Sequence, residues 1–439
     1  MILDQHKDIA SWAMKYALEN GCSASRVALM ISNNNSFEYR NDQLDKLHQS
    51  AENKLYIELF VDGRYGAFST NRIERKELER FISEGILSTR FLAEDLCRQL
   101  PDAVRYYKPG TGSLDLYDPA YDNISTEQKI ELCKNTVNEI YQTNADIISV
   151  TASLGDACAA EYMVSSNGFE GETTDSAFSI TAEVTLRTDT DARPESYWYD
   201  NSVYWADLQK SGIASKALER ALGKVNQKKI KSGKYNLLLD NTVSARMLSP
   251  IVSAIFGSAL QQKNSFLIGK LGCKIASDEL SLADTPHLPR SFGARWFDGE
   301  GVATSNRCII ENGILRNYFI DTYNALKMGI EPTIASPSIL GIKPGNNSFG
   351  QMLKSMHNGI WVTGFNGGNC NPTTGDFSFG IEGFSIENGI IVEPIGEMNI
   401  TGNILKLWAS LIEIGNDPRA NSSMRVPSLL FMDVNFSGA

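Results

Sequence analysis

Apolar positions recur along this chain with two periods, one helical and one extended. From Asp4 to Asn20, Ile9, Trp12, Ala13, Tyr16 and Ala17 return every three or four residues. That spacing predicts an amphipathic helix, with Gly21 at its C-terminal end. Short strands are expected at Ser25–Ile31 and Ser36–Tyr39, and a hairpin where Leu55–Val61 and Tyr65–Ser69 flank Asp62-Gly63. Arg75–Cys97 reads as a second helix with Leu78, Phe81, Ile82 and Ile86 on one face. Tyr106–Asn123, rich in Gly, Pro and Tyr, reads as loop, and Thr126 caps a third helix that runs to Tyr141. Ile147–Arg187 reads as strand, turn at Asn167-Gly168, strand. Phe178, Ile180, Ala182, Val184 and Leu186 alternate over its second half. Gly212–Lys224 is a further helix.

Lys228-Lys229-Ile230-Lys231-Ser232-Gly233-Lys234, basic and polar, reads as a solvated linker ahead of a strand at Tyr235–Leu239. It separates residues 1–227 from residues 235–439. Beyond it, Asn312-Gly313 and Asn388-Gly389 each sit between apolar alternations and predict two-residue hairpins. Ser338–Gly350 reads as a Gly/Asn/Pro loop. The fold class is α+β: an N-terminal sheet with packed helices, then a β-rich domain, mixed or closed, with few helices.

Composition narrows the function classes. The net charge of −11 argues against a nucleic-acid surface, which needs a basic stripe. No signal peptide and no apolar run long enough to span a membrane is seen, so a cytoplasmic protein is expected. The seven cysteines are scattered, never in C-x-x-C spacing, and read as buried free thiols.

Candidate chemistry is sparse. His6, His48, His287 and His357 are far apart, and neither His-x-x-x-His nor His-Glu occurs. Asp298 and Glu300, two apart, share a face if extended, yet lack a catalytic partner and read as structural. Asp376, in Thr374-Gly375-Asp376, is either turn chemistry or a carboxylate facing a groove. Gly364, Gly367 and Gly368, and then Gly375, are where a backbone could come close, as an added peptide strand requires. On that reading Gly368→Val impairs peptide handling and leaves the fold intact; if it disrupts the fold, the glycines serve turns. Cys370 has no histidine beside it in sequence; no G-x-S-x-G elbow and no phosphate loop occurs.

The tail carries a distinctive series: Thr374-Gly375-Asp376-Phe377-Ser378-Phe379-Gly380-Ile381-Glu382-Gly383-Phe384, then Glu393-Pro394, Ile400-Thr401-Gly402-Asn403 and Ile414-Gly415-Asn416-Asp417. With Phe297-Asp298-Gly299-Glu300-Gly301 upstream, it resembles the TldD/PmbA family, the modulators of DNA gyrase. The resemblance is clear from about residue 235 onward. It implies a family with two branches: a TldD-like zinc peptidase with an H-E-x-x-x-H helix and a late Cys ligand, and a PmbA/TldE branch without them. Aligned on Lys263-Asn264-Ser265-Phe266-Leu267, this chain places Ser249, Pro250 and Ala254 at the His, Glu and His positions. The stretch that would hold the late Cys, Asn416–Pro427, contains none. Ser249-Pro250 also suits a helix start, as N-cap and first residue.

The resemblance therefore implies a non-catalytic TldE-like subunit of a cytoplasmic zinc peptidase that cuts extended or unfolded peptides. Zinc is expected only in a TldD-like partner and no cofactor in this chain. The expected partners are that catalytic subunit and a peptide, with no nucleic acid and no membrane, and the isolated chain is expected to be a homodimer. Two alternatives stay open: a free-standing homodimeric peptide-binding scaffold, and a peptidase with an unrecognised non-metal mechanism.

Overall fold

The structure is a computed structural model that describes residues 2–110 and 112–438; Thr111, within the expected loop, lies outside them. The first half is a six-stranded antiparallel sheet of β1 (Ala24–Arg40), β2 (Gln43–Val61), β3 (Arg64–Thr70), β4 (Ile147–Ser165), β5 (Glu170–Leu186) and β6 (Glu195–Ser202). Its order is β3-β2-β1-β4-β5-β6. Helices α1 (Asp4–Glu19), α2 (Arg75–Thr89), α3 (Thr126–Asn138) and α4 (Ile213–Leu222) cover one face. Alternation explains why. Phe178, Ile180, Ala182, Val184 and Leu186 are all buried, packed with Leu132, Val137 and Ala217 from the helices.

Three local expectations change. The two short strands are one, β1, because Ser32-Asn33-Asn34-Asn35 pairs with β2 on one side and β4 on the other. Long-range pairing there outweighs weak strand propensity. The second helix stops at Thr89 rather than Cys97: Phe91 and Leu96 stay exposed and find no apolar surface to hold a further turn. The third helix is capped by Ser125, not Thr126, and ends at Asn138.

The face away from the helices is small and polar along β4, at Ser153, Gly155, Ala157 and Ala159 and then Glu161, and Tyr106, Phe169 and Phe297 cover it at Met163. Burial, with Asp175 on β5 nearby, raises the Glu161 carboxyl above the usual range. The folded state thus holds its proton more tightly than the unfolded chain, and this contribution falls as pH rises through the carboxylate range. Glu161→Gln is expected to be more stable than wild type at pH 7, with the gain shrinking towards pH 4. Urea unfolding at the two pH values reads it; a constant difference would mean the carboxyl is solvated.

The second half begins with β7 (Gly233–Leu239), followed by α5 (Ala245–Ala254) and α6 (Gly257–Gln261). A small sheet comprises β8 (Leu282–Asp284), β9 (Arg307–Glu311), β10 (Ile314–Leu315), β11 (Leu340–Ile342) and β16 (Met424–Arg425). Helices α7 (Thr322–Met328), α8 (Phe349–Met356) and α9 (Ile404–Ala409) intervene. The main sheet contains β7, β12 (Gly359–Cys370), β13 (Asp376–Glu387), β14 (Ile390–Asn403), β15 (Leu411–Ile414) and β17 (Leu429–Ser437). It closes on itself: β17 pairs with β7 along one edge and with β15 and β14 along the other. Trp408, fully buried, packs edge-on against Phe431 and donates to the Met247 carbonyl, tying α5 to this core.

Asn312-Gly313 and Asn388-Gly389 form two-residue hairpin turns with positive φ at each residue, as does Asp62-Gly63. The basic stretch is exposed apart from the half-buried Ile230, and it is pinned at its start. Lys228 and Lys229 pair with Glu393 and Glu397 at 3.0 Å each, and the Lys228 backbone bonds Pro394 and Gly396. The Ser338–Gly350 segment holds β11 and the start of α8, capped by Ser348 with Gln351. Not all thiols are buried: Cys273 and Cys308 are exposed, and Cys97 and Cys370 are half-buried. No helix among the described residues is long and apolar enough to cross a membrane.

Candidate functional site

Two adjoining cavities meet at α5. The smaller, about 350 Å³, is lined by Ser249, Pro250, Ser253 and Ala254 of α5, by Asn264 and Phe266, and by Asn369, Cys370 and Phe379. The larger, about 660 Å³, lies between β6 at Ser196–Tyr199 and β12 at Thr363–Gly367. Arg246 and Ser249 line both.

The sequence places a helix start at Ser249-Pro250; the helix instead begins at Ala245, with Pro250 inside it. Met247 and Leu248 are fully buried, and that burial draws the turn before the proline into the helix. The Ser249 hydroxyl bonds the Ala245 carbonyl at 2.9 Å, one turn back. Ser249, Pro250 and Ala254 thus share one cavity wall. A catalytic zinc needs about three His, Cys or carboxylate ligands. The cavity offers hydroxyls, amides and one thiol, Cys370, and no group of three His, Cys, Asp or Glu among the described residues could hold a metal. The residues present do not fit zinc.

Cys370 reaches this cavity, but burial and nearby Asp376 push its thiol up, away from the nucleophilic thiolate. His287 bonds Thr304 at 2.9 Å and packs on Trp296, with its imidazole pKa lowered by burial. Asp298 and Glu300 are not in a strand. Asp298 accepts from the Glu300, Val302 and Ala335 amides, and Glu300 accepts from Thr322, so both carboxylates hold loops together. Burial raises the Glu300 carboxyl.

Gly364 and Gly367 line the larger cavity. Gly364 lies under the Glu382 carboxylate, which pairs with Lys224 at 2.7 Å. Gly368 serves a bulge: its φ is +94° and any β-carbon would strike the Ser378 carbonyl. Gly375 and Asp376 lie outside the linings of both cavities. Asp376 accepts from Thr374 at 2.8 Å and Asn403 at 2.9 Å, which lower its pKa and brace the turn.

Arg220, Arg246 and the aromatic run Tyr197-Trp198-Tyr199 also border the larger cavity, and no sequence motif marks them. Three consecutive aromatics on a strand put rings on both of its faces, and that was the available signal. Arg220 lies over the Trp198 ring and donates to the Thr363 carbonyl at 2.8 Å. Arg419 lies over Trp198 and Tyr199 and donates to the Tyr199 carbonyl at 3.1 Å. Arg246 lies over Phe379 and donates to the Gly368 carbonyl at 3.2 Å.

Comparison with known proteins places this arrangement. The family model described as the PmbA/TldA metallopeptidase central domain matches residues 119–225, and the one described as the C-terminal domain matches residues 232–438. The chain belongs to the PmbA/TldD metallopeptidase family. Metalloprotease PmbA of Escherichia coli O157:H7 is 26% identical over 445 residues, covering 99% of this chain and 98% of that one. A Bacteroides thetaiotaomicron crystal structure, described as a modulator of DNA gyrase, is 53% identical with a TM-score of 0.98, covering 100% of both chains. TldE from Thermococcus kodakarensis, 20% identical with a TM-score of 0.85, covers 98% of this chain and 100% of that one and shares the fold. Membership in the PmbA/TldD family makes the donor-poor face of α5 the point to explain.

Proposed function

We propose that this chain is the non-catalytic, TldE-like subunit of a cytoplasmic peptidase whose zinc is held by a TldD-type partner. The observation that carries the reading is the α5 wall: Ser249, Pro250 and Ala254, which the sequence resemblance sets at the family's ligand positions, line one cavity and supply no metal donor set. The chain's own contribution is then to hold extended peptide beside the partner's metal. The test mixes the chelator-washed chain with an H-E-x-x-x-H homologue. Co-elution on size exclusion is expected, with zinc in the homologue only and cleavage of unfolded peptides by the pair only. Cleavage by this chain alone in excess chelator, or one retained zinc per chain, overturns the reading. Peptide binding without capture of any such partner would make the chain a free-standing peptide-binding scaffold.

A further inference from the structure

We infer that the 660 Å³ cleft between β6 and β12 is a strand-addition slot selective for extended peptides bearing carboxylates. The inference rests on the peptide-holding role proposed above and names the class of peptide. Two observations carry it independently.

The first is backbone geometry. β6 is the edge of its sheet and, among the described residues, pairs only with β5. The Tyr199 carbonyl points away from β5, since Arg419 reaches it, and by the alternation of an antiparallel ladder Tyr197 presents its N–H and C=O to the same side. Across the cleft, β12 pairs with β7 from Ile360 to Val362 and no further. From Thr363 to Gly367 that edge faces the cavity with no strand of the described residues beside it. Two edges border one cleft with no further strand of the described residues beside either, though Arg419 and Arg220 already hold the Tyr199 and Thr363 carbonyls; they match a guest with its own alternating N–H and C=O groups, which a peptide has and a nucleic acid lacks.

The second is charge. The chain has 52 acidic and 41 basic Lys and Arg residues, so spare cations should be few. Of the cations lining this cleft, Lys224 is paired with Glu382. Arg220 and Arg246 have no carboxylate partner among the described residues; each gives a single hydrogen bond to a backbone carbonyl and stacks on a ring. A guanidinium carries five N–H donors, so both keep donors for an incoming carboxylate while their own positions are fixed.

The test uses the full chain without any partner and two synthetic ten-residue peptides of alternating Val and Thr, one with two Glu replacing Thr, the other with two Gln. Calorimetric titration is expected to give the Glu peptide about tenfold the affinity of the Gln peptide, the effect of one or two charge-assisted hydrogen bonds. High salt should narrow the gap. Arg220→Gln and Arg246→Gln should each bring the two peptides together, with circular dichroism confirming the fold. Equal affinity of the two peptides for the wild-type chain overturns the inference and needs no variant to read. So does binding of neither, or tighter binding of a ten-base oligothymidylate than of the Glu peptide. Discrimination that survives in a folded double variant also overturns it. Because no partner is present, failure of the pairing reading leaves this result untouched. Discrimination failing while the pair still cleaves sinks this inference alone.

Discussion

Asp156→Ala is expected to lower the unfolding free energy by about 3–5 kcal/mol, the range for leaving one buried charge without its partner. Asp156 sits mid-strand in β4 beneath α3, and its side chain is fully buried. Its Oδ1 accepts from Tyr121 at 2.7 Å and Asn35 at 2.8 Å. Its Oδ2 has no aligned hydrogen bond and meets Lys129 Nζ as an ion pair at 2.9 Å. Lys129 is nearly as buried, flanked by the Phe37 and Tyr121 rings. Alanine therefore strands an ammonium in an apolar setting. Urea denaturation checks the value. Lys129→Met combined with Asp156→Leu should cost less than Asp156→Ala alone, because no orphan charge remains. A loss under about 1 kcal/mol for the single variant would show that water reaches the pair.

Gly368→Val is expected to destabilise by roughly 3 kcal/mol or more, combining left-handed strain with overpacking against backbone. The sequence reading places Gly368 in a groove where bulk disturbs peptide handling alone; the structure corrects this, because the site is held by a positive φ and by the Ser378 carbonyl. Gly367→Ala is the informative contrast. Gly367 has a φ of +107° but open space around it, so only the strain of about 1 kcal/mol applies. Thermal melts followed by circular dichroism separate the two. A Gly368→Val chain melting with wild type would mean that the bulge can relax and that the groove reading of this residue stands.

What was legible in the sequence was local. The Asp62-Gly63, Asn312-Gly313 and Asn388-Gly389 turns carry their own conformational requirement, and the alternation from Phe178 to Leu186 states which side is buried. The family was legible from the series of tail motifs. What was not legible depends on partners distant in the chain. Ser32–Asn35 reads as a break until β4 is known to lie beside it. Ser249-Pro250 reads as a helix start until the closed sheet buries Met247 and Leu248. The cleft is assembled from β6, α5 and β12, and no single segment announces it.

The closed sheet also bears on how the chain acquires its structure during synthesis. In the first half, neighbours in the sheet are mostly neighbours in sequence: β1 with β2, β2 with β3, β4 with β5, β5 with β6. Those hairpins form as they emerge. β7 differs: Leu237 waits for Ile360, and Leu239 for Leu429. The strand leaves the ribosome with both sides exposed, and the loop entropy of those distant pairings makes closure the slow step. A chaperone that shields nascent apolar strands would find its longest-lived client surface at Leu237-Leu238-Leu239.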